Sequence, residues 1–541
     1  MRRSDILVRL IMTGHFSKKR GVVGAEAERY FLGIELGSTR IKAVLIDNRA
    51  RVIAKGTHEW ENGMVGGFWS YSLESVHSGL QASYAALAGD YEKKLGRELT
   101  GVVAVGVSAM MHGYLAFDEN DRLLVPFRTW RNTNAGRAAQ ELTERFVFHV
   151  PQRFSVAHYA QAVLDREAHV KDVAFLTTLA GYVHYRLTGE KVLGIGDASG
   201  MFPVRDGKYD PVMLAKFNAF LEEEGIHKDF EGLLPAIRMA GENAGSLTEA
   251  GAAFLDVTGR LKAGCILCPP EGDAGTGMVA TNSILPRTAN VSAGTSAFLM
   301  TVLEDQPCFC EDAIDVVATP AGEPVAMVHV NNFTSEITAW ANLFEEVMAL
   351  GGAQISREKL FDALYESSLG GDAACDGLVG YNFLAGEPIV GIRSGIPMVL
   401  RLPGEKLTLA GFMKMQIYSA LGALAVGCEF LKKQRVRIDR ICGHGGFFKA
   451  PVVGQSAMSA AIDAPVTVMR NAGEGGAWGI ALLALFAWLG EGSLADFLEG
   501  IFSDAEKETV MASEAQRAEF ETFMKKYKAG LAVEKLAAEV F

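Results

Sequence analysis

The sequence predicts an α/β protein built from two large domains. A chain of 541 residues is longer than one hydrophobic core usually serves, which makes two domains the default expectation. Strand-like apolar runs alternate with amphipathic helical stretches along it. One strand-turn-strand unit also occurs twice, over Tyr30 to Asp47 and over Asn290 to Glu304, as a duplicated domain would produce.

Composition narrows the partners. A hydrophobic content of 49% supports globular folding throughout, and a formal net charge of −12 argues against a binder of phosphate backbones. Small molecules are expected, not nucleic acid and not a membrane. Seven scattered cysteines fit a reducing cytoplasm. Cys265-x-x-Cys268 lies in an apolar run without a neighbouring histidine, which argues against zinc. The apolar helical run Gly479 to Gly490 is shorter than the roughly 20 residues a bilayer needs, so it reads as a buried helix. Residues 1–29 form a basic extension whose apolar segment, broken by Arg9, lacks a signal-peptide core.

Taken in order, Tyr30 to Asp47 places two apolar runs around Gly37-Ser38-Thr39-Arg40 and reads as a β-hairpin, with the segment after Asn48 as a third strand. Glu74 to Leu99 carries Val76, Leu80, Tyr84, Leu87 and Tyr91 at helical spacing. A strand then leads into a loop with Met110, Met111, His112 and Gly113, and a second strand ends in a turn at Asp118 to Asp121. His158 to Glu190 reads as two helices, the second ending before Gly189, and Asp197 reads as an acid that caps a turn. After the apolar run ending at Pro270, Gly272-Asp273 reads as a strand end holding a carboxylate on an open, tight turn. Asn282 to Arg287 marks the domain change.

The second half opens with strand, glycine turn and strand around Gly294, Thr295 and Ser296, a turn whose backbone N–H groups suit phosphate oxygens. A carboxylate just upstream of such a cradle points to proton removal from a hydroxyl during phosphoryl transfer. Further on come a strand and helix over Val325 to Leu350, a long helix from Leu409, and a strand ending in the glycine turn Gly443 to Gly446. A helix follows from Val452, and Gly500 to Phe541 reads as a largely helical tail.

From Tyr30 to Phe486 these motifs, in this order, resemble the FGGY family of carbohydrate kinases, in its xylulokinase-like branch of the actin-like ATPase superfamily. The resemblance rests on the GST turn at Gly37, the Met-His-Gly loop at Met111, Trp130, the D-A-S-G stretch at Asp197, Asp273, the turns at Gly294 and Gly445, and the helix start near Gly475. It implies two ribonuclease-H-like domains with an interdomain cleft, over 30–284 (sugar side, first phosphate motif) and 285–541 (second phosphate motif, adenosine site, helical tail). It also implies an ATP-dependent sugar kinase with Asp273 as general base. Met111, His112, Gly113, Trp130 and Asn132 would meet the sugar. Gly37, Ser38, Thr39, Arg40, Gly294, Thr295, Ser296, Gly445, Gly446 and Phe447 would meet ATP.

Two departures from the family pattern stand out. Glu35 occupies the place of an Asp that holds Mg²⁺ through water, keeping the charge on a longer arm. The segment after Trp130 reads Arg131-Asn132-Thr133-Asn134 instead of N-D-x-R, which bears on the choice of sugar. The expected acceptor is a ketopentose such as xylulose, with another ketose, a deoxyketose or a polyol as the alternative. A homodimer is the expected assembly. From a different class, an ATP-switched binding protein of the actin or heat-shock chaperone type would keep the phosphate turns but would have no need of Asp273 beside a sugar loop.

Overall fold

The computed structural model describes residues 28–307, 310–404, 406–469, 475–503 and 505–541. The extension expected over 1–29 therefore lies outside the described residues up to residue 27, as does the stretch just before Gly475.

Two mixed sheets organise the chain. In the first, Tyr30–Leu36 pairs antiparallel with Arg40–Asp47, which pairs antiparallel with Val52–Glu59. On its other side Tyr30–Leu36 pairs parallel with Ala104–Ala109, which is flanked by the short strands Ile266–Leu267 and Glu271–Gly272. The second sheet repeats this plan. Thr288–Ala293 pairs antiparallel with Ala297–Val302 and parallel with Arg440–His444. Pro324–Val330 continues one side and Val466–Met469 the other. Each unit is thus a hairpin, a third antiparallel strand and two parallel strands, the ribonuclease-H-like plan of the actin-like ATPase fold. The second sheet adds an edge strand at each end, Ile314–Ala318 and Lys507–Val510. The latter interrupts the tail expected to be helical, between helices Leu494–Phe502 and Glu514–Val540.

Helix Gly475–Leu489 falls in the second half of the sequence but packs on the first sheet. A side chain at Gly33 would strike the backbone of Ala477 and Ala481, so strand and helix touch backbone to backbone. Its residues Ile480, Leu482, Leu483 and Phe486 belong to the first half's core, which explains why the helix is apolar all round. The longer apolar helix is Leu409–Lys433, long and apolar enough to cross a membrane, with 78% of its most apolar stretch buried inside the protein.

The halves also meet at the edge strand Ile314–Ala318. The Ala318 N–H donates to Ser199 Oγ of the short helix Ile195–Ser199 (2.9 Å), and the Ala240 N–H donates to the Pro320 carbonyl (3.0 Å).

Candidate active site

Asp273 lies at the end of the first sheet, on a helix that approaches the second half where a side chain at Gly275 would meet Pro320. It is not on an open turn, as the glycine beside it suggested. It is the first residue of helix Asp273–Ala280, and a side chain at Gly272 would strike Met111. Asp273 Oδ1 accepts the backbone N–H of Met111 (3.0 Å) and that of Ala274 (2.9 Å). Burial raises the Asp273 carboxyl above its usual range, and these backbone donors pull the other way. The result is a carboxylate fixed in direction and made more basic.

Glu35 faces it from the end of the first strand. Its carboxyl is raised to about 7, by burial first and then by the charge of Asp273, while Lys42, its cross-strand neighbour, and the Ala477 N–H favour the ionised form. Ala477 lies in the first turn of helix Gly475–Leu489, whose positive end stabilises an anion. Gly476 leaves the carboxylate its room, since a Cβ there would lie 2.2 Å from Glu35 Oε1 and push it aside. The longer arm of Glu places its carboxylate against this helix start.

A further acid lies behind Asp273. Asp197 is fully buried and raised to about 7 by burial, partly offset by the Thr178 hydroxyl (2.5 Å), with the Asp273 charge adding to the rise. Its Oδ1 is buried without a hydrogen-bond partner. The sequence suggested only a turn cap, and neither Asp197 nor Lys42 was read there as part of the site.

The two glycine turns expected to hold phosphate close β-hairpins. Gly37 N–H donates to the Arg40 carbonyl (3.0 Å), and Trp60, Tyr71 and Trp130 brace the turn. Trp60 Nε1 donates to the Gly37 carbonyl (2.7 Å), the Tyr71 hydroxyl to the Ser38 carbonyl (2.5 Å), and Trp130 Nε1 to Ser38 Oγ (3.4 Å). Trp130 thereby joins the expected sugar side to the first phosphate turn. Thr39 and Arg40 are exposed, Arg40 pairing with Glu59 at 3.1 Å. In the second turn Thr295 is exposed, and the Thr334 hydroxyl holds the Gly294 carbonyl (2.6 Å). Gly445 adopts φ +107°, and a Cβ there would lie 2.3 Å from the Ala293 carbonyl oxygen. The glycine turn expected to meet adenosine is therefore pressed against the second hairpin, the one expected to hold phosphate.

Three residues expected to meet a ligand are engaged within the protein. Asn132 is buried and spent on the backbone: its amide donates to the carbonyls of Trp69 (2.9 Å) and Thr129 (3.0 Å) and accepts from the Trp69 N–H (2.8 Å). It fastens the Trp130 segment to the Phe68–Ser70 strand and has no donor left for a sugar. Phe447 is fully buried against Phe333, Tyr365 and Phe448 in the second core. His112 is buried with both ring nitrogens occupied: Nδ1 meets the Gly200 carbonyl (3.2 Å) and Nε2 accepts from Arg153 Nε (3.3 Å). The ring faces the protein, while the loop backbone at Met111 faces Asp273.

Cys265, Cys268, Cys310, Cys375, Cys428 and Cys442 are free thiols. Among the described residues no group of three or more His, Cys, Asp or Glu is placed to hold a metal.

Two actin-like ATPase units, each with a glycine-turn hairpin, and a half-buried carboxylate at Asp273 are the arrangement expected of an ATP-dependent carbohydrate kinase. The family comparison states this directly. Residues 30–259 match the N-terminal domain and residues 289–488 the C-terminal domain of the FGGY family of carbohydrate kinases, and the chain belongs to that family. It is 22% identical over 485 residues to the xylulose kinase of Haemophilus influenzae, covering 86% of this chain and 92% of that protein. It is 26% identical over 230 residues to the glycerol kinase of Thermococcus gammatolerans, covering 40% of this chain and 44% of that protein. Solved structures share the fold. The xyloylose kinase of Brucella ovis matches with a TM-score of 0.76 at 19% identity (94% of this chain, 100% of that one). The gluconate kinase of Lactobacillus acidophilus matches at 0.77 and 16% identity (95% and 99%). Family membership carries ATP use and a sugar-type acceptor with it, and it removes the non-catalytic switch protein from consideration.

Proposed function

We propose that this kinase transfers the γ-phosphate of ATP to a hydroxyl of a small ketose, with xylulose as the first choice and another ketose, a deoxyketose or a polyol as the alternative. The observation that carries the reading is the Asp273 carboxylate, held by the Met111 N–H and made more basic by burial. In that position it accepts the proton of the acceptor hydroxyl as that oxygen attacks phosphorus, a step that general-base catalysis speeds by about 10²–10⁴-fold. Met111, Gly113 and Trp130 border the sugar. Backbone N–H groups of the Gly37 to Arg40 and Gly294 to Ser296 turns hold phosphate oxygens, and Gly445 and Gly446 lie along adenosine. Phosphoryl transfer needs mainly positioning and charge stabilisation, which a closing cleft supplies while it excludes water.

Mg²⁺ fits the donor set. The charge of Asp273 raises the proton affinity of Glu35, with Lys42 and the Ala477 N–H opposing, and a hard cation held mostly through water and phosphate suits such a carboxylate pair. Glu35 is the residue we assign to it, and bound there it would neutralise charge on the phosphate oxygens.

Xylulose ranks first because the relative matched over 92% of its own length is a xylulose kinase. Glycerol and gluconate kinases among the other matches keep polyols and related acids in the test. The free thiols support a cytoplasmic setting. The experiment is a coupled ADP-release screen over ketopentoses, 6-deoxyketoses, ketohexoses, gluconate and polyols. The fastest turnover is expected on xylulose. Turnover on glycerol or gluconate with none on any ketose would overturn the acceptor assignment.

A further inference from the structure

The loop that holds Asp273 is itself held from the other half of the protein. His112 and Gly113 have φ of +70° and +107°, and a non-glycine residue at positive φ costs of order 1 kcal/mol, so it persists only when its surroundings enforce it. His112 is clamped on three sides. Its ring stacks on Phe154 (centroids 5.2 Å apart), Nδ1 is bound by the Gly200 carbonyl, and Nε2 accepts from Arg153 Nε. Because an arginine can only donate, Nε2 must be the acceptor and the proton must sit on Nδ1. Arg153 thus sets the tautomer as well as the orientation of the ring.

Arg153 belongs to the first half, in the turn before helix Ser155–Leu164. Its guanidinium is mostly buried and forms an ion pair with Asp315, on the edge strand Ile314–Ala318 of the second sheet. Asp315 is buried too and also meets His149 Nε2 at 3.3 Å. His329, on the neighbouring strand of the second sheet, has its pKa lowered by burial and by the Arg153 charge, which places the guanidinium against that half. A continuous path therefore runs from Asp315 through Arg153 and His112 to Met111, and from the Met111 N–H to Asp273 Oδ1.

We propose that Arg153 is a positioning residue that makes the setting of Asp273 depend on the approach of the second domain. With Asp315 in place, Arg153 holds His112 and its loop in the positive-φ form that aims the Met111 N–H at the carboxylate. With the halves apart, the guanidinium loses its partner and the loop loses its clamp. The phosphate turns and the glycine turn at Gly445 lie off this path, so nucleotide binding does not depend on it. The proposal rests on Asp273 being the base.

The test compares the wild type with Arg153→Gln, Arg153→Lys and Asp315→Asn. Turnover is measured with xylulose as acceptor, alongside KM for ATP, melting temperature, and amide hydrogen exchange over Met111 to Gly113 with ADP bound. Loss of a charge-assisted hydrogen bond predicts a fall of about 10-fold or more in kcat/KM for the sugar in Arg153→Gln. KM for ATP should stay within about 2-fold. Exchange over Met111 to Gly113 should be faster in both Arg153→Gln and Asp315→Asn, and Arg153→Lys should recover part of the loss. Exchange needs no sugar, so failure of xylulose as acceptor is read separately, and failure of Asp273 as the base is read by its own substitution. Unchanged exchange over Met111 to Gly113 in Arg153→Gln and Asp315→Asn would overturn the proposal. So would a fall in turnover matched by equal losses in melting temperature and ATP affinity.

Discussion

The backbone N–H of Met111 and the carboxylate of Asp273 meet at 3.0 Å, although 162 residues separate them in the chain. That bond joins the loop after the strand Ala104–Ala109 to the start of helix Asp273–Ala280. The expected sugar loop and the expected base are therefore one unit, and substitutions around them should separate residues that do chemistry from residues that hold shape.

Glu35 should show itself in the pH dependence of stability. Its carboxyl moves from an ordinary value of 4.5 to about 7 on folding, so the folded chain keeps a proton that the unfolded chain has released. The stability tied to that proton is fully present below pH 4.5 and is lost as pH rises to about 7, by about 3 kcal/mol at most. Glu35→Gln should therefore narrow the drop in melting temperature between pH 5 and pH 8. Part of the slope should remain, because Asp197 is raised in the same direction. The same variant should lose activity and respond weakly to magnesium, while Glu35→Asp keeps its magnesium dependence. A Gln variant that matches the wild type across a magnesium titration would remove the metal role.

Asn132→Ala tests whether that amide is a fastener or a sugar ligand. It removes the Asn132 oxygen that accepts the Trp69 N–H and one of the two donors to the Trp69 carbonyl, which the Thr129 N–H still binds (3.1 Å), a loss of about 1–3 kcal/mol. Melting should drop accordingly, with KM for the sugar changed less than 3-fold. A variant of wild-type stability whose sugar KM rises by about 10-fold or more would restore the sugar contact.

Phe447→Ala addresses the adenosine side. Removing a fully buried ring should cost about 3–5 kcal/mol, and KM for ATP in the remaining folded protein should hold. Weakened ATP binding with no loss of stability would mean that the ring meets the base after all.

Much of the fold was legible in the residues because it is local. The hairpin of Tyr30 to Asp47, its repeat around Gly294 and the helix ending at Gly189 follow from apolar period and glycine placement. The position of Asp273 in the order of motifs was also readable. What the chain did not disclose was long-range pairing. Nothing near Asn132 indicates that its amide meets Trp69, and nothing in the glycine turn indicates that Phe447 points into the core. The strand Lys507–Val510 exists because it adds to the edge of Val466–Met469, which no property of that charged segment reveals. Arg153 was missed for the same reason, since its partner Asp315 lies in the other half.

The most direct test of the account is Asp273→Asn. The amide is nearly isosteric and can still accept the Met111 N–H, so melting temperature and ATP affinity should stay close to the wild type. Removing the proton acceptor should lower turnover per folded molecule by about 10²–10⁴-fold. Turnover measured beside a melting curve and an ATP titration gives the answer. A stable, ATP-binding Asp273→Asn protein with undiminished turnover would contradict the assignment of Asp273 as the base.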